Sequence, residues 1–354
     1  MKKILLLSAA VALFAACSND REQLASDGGS EVLVPLRISA SNIDVSTQVA
    51  TRASGTIWGD GDAIGVYARF TDESPLSTQC NALNAQYTIT TGANSKPSAY
   101  DYKQFTSTSP VYLPTNGDNI YVYAYYPHKS TGTGTGHAQT NGDVYITVDG
   151  QATATDVRTG IDFMAAYEQY SNKGTDGNDA AIPVAINKAN PRCNLLFEHK
   201  LTKLVFKLKQ GTGFDDATIA GTTSLTIGSQ KTIGIYNVYN RALSYSGSAD
   251  QTITAFKASD VANGDGEFDA RFEAIVLPNH ATNNTPVDRL VTITIGDQDY
   301  TFTIYYTGAS TPKVESFAAG MEYTFEVTVN KTGLNVYAAI APWNTTTIQN
   351  VAAE

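Results

Sequence analysis

The chain has 354 residues, with 34 Asp plus Glu against 24 Lys plus Arg and a formal net charge of −10. Nucleic-acid binding requires clustered Lys and Arg to displace counterions from phosphates, and this acidic chain carries no such run. Only 16 % of residues are charged while 20 are Tyr and 28 are Gly, a profile that favours strands and turns over helices.

The N-terminus reads as an export signal. Met1, Lys2 and Lys3 form a cationic start, and Ile4 to Ala16 form an apolar, small-residue core too short to cross a bilayer of about 30 Å. It ends in the small residues that a signal peptidase needs, so residues 1–16 are expected to be removed. Cys17 follows Leu13-Phe14-Ala15-Ala16 and resembles the acylated cysteine of the bacterial lipobox, with Phe14 where Leu is usual. That resemblance implies an outer-membrane lipoprotein tethered through Cys17. Two or three acyl chains anchor stably, at about 0.8 kcal/mol per buried CH₂.

Residues 18–30 are polar and aperiodic, and read as a spacer. Val32, Val34, Leu36, Ile38 and Ala40 then alternate with more polar positions, the period of a half-buried strand. Pro35 cannot donate to a ladder, so this strand is expected at a sheet edge. A second alternation runs through Ile43, Val45, Thr47 and Val49 to Thr51-Arg52-Ala53. Further strands are predicted at Ala63–Phe70, Ile120–Tyr126, Asp143–Val148, Ile182–Ile186, Leu201–Lys209, Thr232–Tyr239, Arg271–Leu277, Arg289–Ile295, Tyr300–Thr307, Glu322–Val329 and Leu334–Ala341. Turn clusters such as Pro114-Thr115-Asn116-Gly117-Asp118 and Gly296-Asp297-Gln298 separate them. No apolar period of 3.6 residues lasts three turns. The expected fold is all-β, with antiparallel sheets as sandwiches or open barrels.

The length suits two domains of about 150 residues. Asn190-Pro191-Arg192-Cys193 interrupts the strand pattern and divides the chain into an N-terminal segment 17–52, a first domain 53–193 and a second domain 194–354. Cys80 and Cys193 lie far apart, and read either as two buried thiols or as one disulfide. The tail Asn344–Glu354 would extend about 36 Å at about 3.3 Å per residue.

Catalytic and metal signatures are missing from the sequence. His128, His137, His199 and His280 are scattered, with no metal-ligand spacing and no GxSxG elbow. Gly132-Thr133-Gly134-Thr135-Gly136 lacks the Lys of a phosphate loop, and the Asp pairs, such as Asp60 with Asp62, fit turns better than an EF-hand. The reading is of a protein with no catalytic residues, no metal and no cofactor.

Several fragments resemble the fimbrillins, the subunits of type V fimbriae. They are Thr51-Arg52-Ala53, Trp58-Gly59-Asp60-Gly61-Asp62-Ala63-Ile64-Gly65-Val66-Tyr67, Ala124-Tyr125-Tyr126-Pro127, Asp162-Phe163-Met164-Ala165-Ala166, Phe197 to Leu208, Gly320 with Tyr323, and Ile340-Ala341-Pro342-Trp343. The resemblance spans nearly the whole chain. It implies two transthyretin-like β-sandwich domains in tandem, surface export, and a role as a fimbrial subunit supporting adhesion. It further implies that an Arg-specific protease cuts between Arg52 and Ala53, releasing a plug strand that carries Val32, Val34, Leu36 and Ile38. Other fimbrial subunits are then the partners, through strand exchange, with Thr346, Ile348 and Val351 as candidate positions of the donor tail. The competing reading is a surface glycan-binding lipoprotein that does not polymerise and stacks sugars on Tyr rings.

Overall fold

The computed structural model describes residues 33–41, 58–89, 102–152, 160–167, 185–246, 250–258, 268–278, 281–282, 285–286, 288–305, 314, 316–343 and 349–350. Within them strands dominate. The first half holds β1 (Arg37–Ser41), β2 (Ala63–Phe70), β3 (Ala85–Ile89), β4 (Tyr102–Thr106), β5 (Ile120–Tyr126), β6 (Asp143–Thr147), β7 (Met164–Tyr167), β8 (Arg192–Leu195) and β9 (Glu198–His199). Next come β10 (Thr202–Gln210), β11 (Ser224–Gln230), β12 (Ile233–Asn237), β13 (Leu243–Ser246), β14 (Gln251–Thr254), β15 (Phe256–Lys257) and β16 (Ala270–Val276). The chain continues with β17 (Ala281–Thr282), β18 (Thr285–Pro286), β19 (Arg289–Ile295), β20 (Gln298–Ile304), β21 (Met321–Asn330), β22 (Gly333–Pro342) and β23 (Gln349–Asn350). A single-turn helix, α1 (Asp216–Ala220), follows β10, and the Asp215 side chain caps it by accepting from the Thr218 N–H at 2.7 Å.

Eight strands form the first sheet in the order β8-β1-β4-β3-β2-β5-β7-β9, with β1 and β8 parallel and the other pairs antiparallel. Its central strands, AIGVYARF and IYVYAYY, are near-continuous apolar runs because both faces are covered. Ile64, Val66, Val122, Ala124 and Tyr126 face one core cluster, while Tyr67, Tyr123 and Tyr125 face another. Every strand of this sheet except β9 places side chains in the first of these clusters, including Ile38, Tyr87, Phe105, Ala166 and Leu195.

The second half packs a six-stranded sheet, β15-β16-β10-β21-β22-β23, on a four-stranded one, β14-β11-β19-β20. Leu204, Phe206, Phe272 and Phe325 meet Ile227, Ile253, Val291 and Ile293 in one core, with Phe206 stacked on Phe325 at 5.1 Å. A three-stranded sheet, β13-β12-β6, joins the halves, because β6 pairs with β12 and its Val144 and Ile146 enter this same core. The hairpin from β19 to β20 turns on Gly296-Asp297, where Gly296 has φ +59°, as its turn cluster predicts.

Some expectations need correction. The strand after residue 32 is not at an edge: β1 lies between β4 and β8. Pro35 precedes the strand and makes only an isolated bridge to Tyr112, so its missing N–H costs the β1 ladder nothing. Arg192–Leu195, within the predicted interruption, is the strand β8, and β3, β4 and β7 were also invisible to the alternation. Of Ile182–Ile186, Ile186 forms an isolated bridge to Ile120, and 182–184 lie outside the described residues, as does the alternation at 43–49. Cys80 and Cys193 belong to the same buried cluster, Cys193 as a thiol.

A charged network crosses the six-stranded sheet. Lys203 of β10 lies 3.1 Å from Glu322 of β21 and 3.7 Å from Glu273 of β16, and Arg271 pairs with Glu273. Burial alone would raise the Glu322 carboxyl, but the Lys203 ammonium, the Arg271 guanidinium and the Thr324 hydroxyl together outweigh it and hold the group below its ordinary 4.5. The stabilisation from Glu322 is therefore complete above the unfolded value and is lost as pH falls through the lower folded one. Lys203→Met should cost about 3 kcal/mol at pH 7, since it strands the Glu322 carboxylate and leaves Glu273 with Arg271 alone. Urea denaturation should show that deficit shrinking at pH 3, and an equal deficit at both pH values would contradict the account.

Candidate functional site

The strand β1 occupies a slot with two walls. On one side it pairs antiparallel with β4, Ile38 opposite Phe105 and Ala40 opposite Lys103. On the other it pairs parallel with β8, Ile38 beside Cys193 and Ala40 beside Leu195. The Arg37 N–H donates to Pro191 O at 2.8 Å, and upstream Leu36 N–H donates to Val111 O at 2.8 Å. Leu36, Ile38 and Ala40 are 2 %, 1 % and 0 % exposed, while Arg37 points to solvent. Full burial of Leu36 and Ile38 is worth about 1.5 to 3 kcal/mol each.

Beneath the slot, the Tyr87 hydroxyl accepts from Val111 N–H at 2.9 Å and donates to Leu36 O at 3.3 Å. Burial pushes this phenol far above its ordinary value, so it stays a neutral donor throughout the physiological range. Ser39 Oγ donates to the Asn194 side-chain oxygen on the β8 wall.

The motif beginning at Trp58 braces this region. The Trp58 ring meets Phe105 of β4 at 5.2 Å, Tyr126 at 5.3 Å and Phe197 at 5.0 Å, all edge to face. Asp62 holds the turn by accepting from Gly59 N–H at 2.6 Å and the Tyr126 hydroxyl at 3.1 Å, and Gly61 takes φ +88°. A Cβ on Gly65 would stand 2.2 Å from the Tyr125 ring, so only glycine fits there. The Asp-rich stretch is turn chemistry and packing.

A second convergence lies where the two large sheets meet. His199 of β9 bonds Asp162 Oδ1 at 2.7 Å and stacks on Trp343 at 4.1 Å, with the rings 11° from parallel. The Trp343 N–H donates to Gly320 O at 2.6 Å, and Gly320 N–H to Leu201 O at 2.8 Å. Motif fragments scattered through the sequence thus form one buried joint, from which the C-terminal tail departs.

Of the residues expected to act, Val34, Leu36 and Ile38 lie in or beside the slot, Val34 half-buried. Val32, Cys17, Arg52, Ala53, Thr346, Ile348 and Val351 lie outside the described residues. Sequence reasoning missed Tyr87 and Asn194. Tyr87 sat in a stretch read as no strand, and Asn194 in the supposed interruption.

Residues 51–343 match the sequence pattern of the family described as Fimbrillin-like. The chain belongs to that family. This fimbrillin-like chain is 28 % identical over 348 residues to Fim1C of Bacteroides uniformis, named as a candidate fimbrium subunit, covering 97 % of this chain and 96 % of that one. It shares its fold with a solved candidate cell adhesion protein of Bacteroides uniformis, at TM-score 0.60 and 23 % identity over 88 % of this chain and 98 % of that one. A second such protein, from Bacteroides ovatus, gives TM-score 0.60 and 21 % identity over 89 % of this chain and all of the other. Fimbrillin-like proteins are structural, so the chain is a member of a fimbrial subunit family and not an enzyme. The matched region begins at Thr51 and ends at Trp343, leaving out both β1 and the tail.

The slot makes a prediction about its own occupant. Ile38→Ala should cost about 2 to 5 kcal/mol of local stability by opening a cavity beside Phe105 and Cys193. Limited trypsinolysis in urea should cut at Arg37 at a lower urea concentration than in the parent chain, whereas an unchanged cutting threshold would show that β1 is not held by this contact.

Proposed function

We propose that the chain is a subunit of cell-surface fimbriae that reaches the outer membrane as a lipoprotein on Cys17, is cut between Arg52 and Ala53, and assembles by strand exchange to support adhesion. The observation that carries this reading is a buried strand, β1, that lies upstream of Arg52 and fills a slot between two other strands. A family match that starts at Thr51 agrees with a mature subunit lacking that strand. We further propose two tandem transthyretin-like sandwich domains. The pairing of β8 and β9 within the first sheet supports a junction a few residues beyond position 193.

Before cutting, the covalent tether gives β1 a high effective concentration, so no free strand displaces it. Afterwards the released plug leaves unpaired N–H and C=O groups on both walls beside an apolar core, and a strand from another subunit restores both. The strand that this subunit would in turn give to another subunit is its own C-terminal tail with Thr346, Ile348 and Val351. Its Gln349 and Asn350 pair with Ile340 and Ala339 of the subunit's own β22, a two-residue hold that donation would have to break.

The glycan-binding alternative draws little support from the surface. Trp58, Trp343, Tyr67, Tyr87, Tyr125 and Tyr126 are buried, and Tyr337 is the exposed large aromatic among the described residues.

Two variants test the reading. Cys17→Ala should abolish palmitate labelling and free the protein from membranes, and persistent labelling would contradict lipidation there. Arg52→Ala should leave an uncut, lipidated monomer, and detergent-resistant ladders formed undiminished by that variant would show that processing at this position is not the switch.

A further inference from the structure

The slot reads its strand at two points besides the apolar contacts. Leu36 N–H donates to Val111 O, and Leu113 N–H donates to Val34 O at 3.0 Å, so residues 34–36 continue the antiparallel pairing of β1. A regular ladder would return the Val111 N–H to Leu36 O. Instead the Tyr87 hydroxyl stands between them, taking the Val111 proton and giving its own to Leu36 O. A phenol has one proton to give, and in this buried place a strand carbonyl at the Leu36 position receives it. On the opposite wall, the Asn194 side chain accepts from the Ser39 hydroxyl. Between these points the pockets are graded: Leu36 and Ile38 are large, and Ala40 is completely enclosed between its partners Lys103 and Leu195.

We infer that Tyr87 and Asn194 set the register of any strand in the slot, which therefore selects an incoming strand of pattern bulky, any, bulky, hydroxyl, small, running parallel to β8. This rests on the strand-exchange reading and names its partner: a strand of another subunit carrying a sequence like Leu36-Arg37-Ile38-Ser39-Ala40. The chain's own tail fits poorly. With Ile348 in the central pocket, Gln349 faces Asn194 and Asn350 fills the small pocket; with Val351 there, Ala352 offers no hydroxyl and Gln349 enters the first large pocket. The preferred donor is a subunit of a different kind.

The register role is tested on the uncut, full-length chain by hydrogen exchange. Tyr87→Phe leaves a buried carbonyl and N–H unmatched and should speed exchange of the β1 amides about tenfold or more, with β10 and β21 unchanged. Unchanged β1 exchange, or uniform acceleration across the molecule, would overturn it. Selection is tested on the chain cut after Arg52, using a labelled peptide of residues 33–41. Ala40→Leu and Ser39→Val peptides, and the peptide of residues 344–354, should each bind about tenfold more weakly or worse. Equal binding by all four would overturn the selectivity. A cut chain that binds none of them would instead sink the strand-exchange reading, whatever hydrogen exchange shows for Tyr87.

Discussion

The eight-stranded sheet is held together at one end by a strand that arrives from outside the family's common region. Among the described residues, β8 reaches the sheet through β1, and β4 has β1 as its neighbour opposite β3. Withdrawing β1 would therefore break two ladders at once and open the core at Phe105, Cys193 and Leu195. An edge strand lost from a sheet exposes one row of backbone groups; an interior strand lost exposes two. The sheet tolerates that absence only if something equivalent replaces it.

Polarity sharpens the requirement. A replacement has to run antiparallel to β4 and parallel to β8 simultaneously, so only one direction of entry completes both ladders. Because side chains alternate with period two, a one-residue slip would turn the apolar set out to solvent. The Tyr87 and Asn194 contacts oppose larger, even-numbered slips that alternation by itself permits. Meanwhile the Trp58 ring, packed edge to face on Phe105 of β4 and on Phe197, braces the β4 wall of the slot.

Much of this was legible in the sequence, and the physical reason differs by element. Ala63–Phe70, Ile120–Tyr126 and Arg289–Ile295 match the predicted bounds, since long β-rich runs ended by turn residues admit little else. The strand β1 showed itself by alternation at Leu36, Ile38 and Ala40. Its walls did not: β8 is four residues, RCNL, directly after a proline, and β4, YKQFT, shows no clear alternation of apolar and polar residues. Their identity as strands comes from pairing with β1, a tertiary interaction that local pattern does not encode. The edge placement inferred from Pro35 failed because the proline stands just ahead of the ladder. The motif fragments were recognisable one by one, but that Asp162, His199, Gly320 and Trp343 form one joint is visible only in three dimensions.

The central claim is that β1 must leave its slot before subunits can join. A reversible lock tests it most directly: Ser39 and Asn194 are register partners whose side chains touch, so Ser39→Cys with Asn194→Cys should bridge β1 to β8. After cutting at Arg52 and mixing with a second subunit that carries a strand like Leu36-Arg37-Ile38-Ser39-Ala40, light scattering should find the oxidised protein unassembled, and a reductant should start assembly. Assembly by the oxidised, cut protein at the rate of the reduced one would contradict the account.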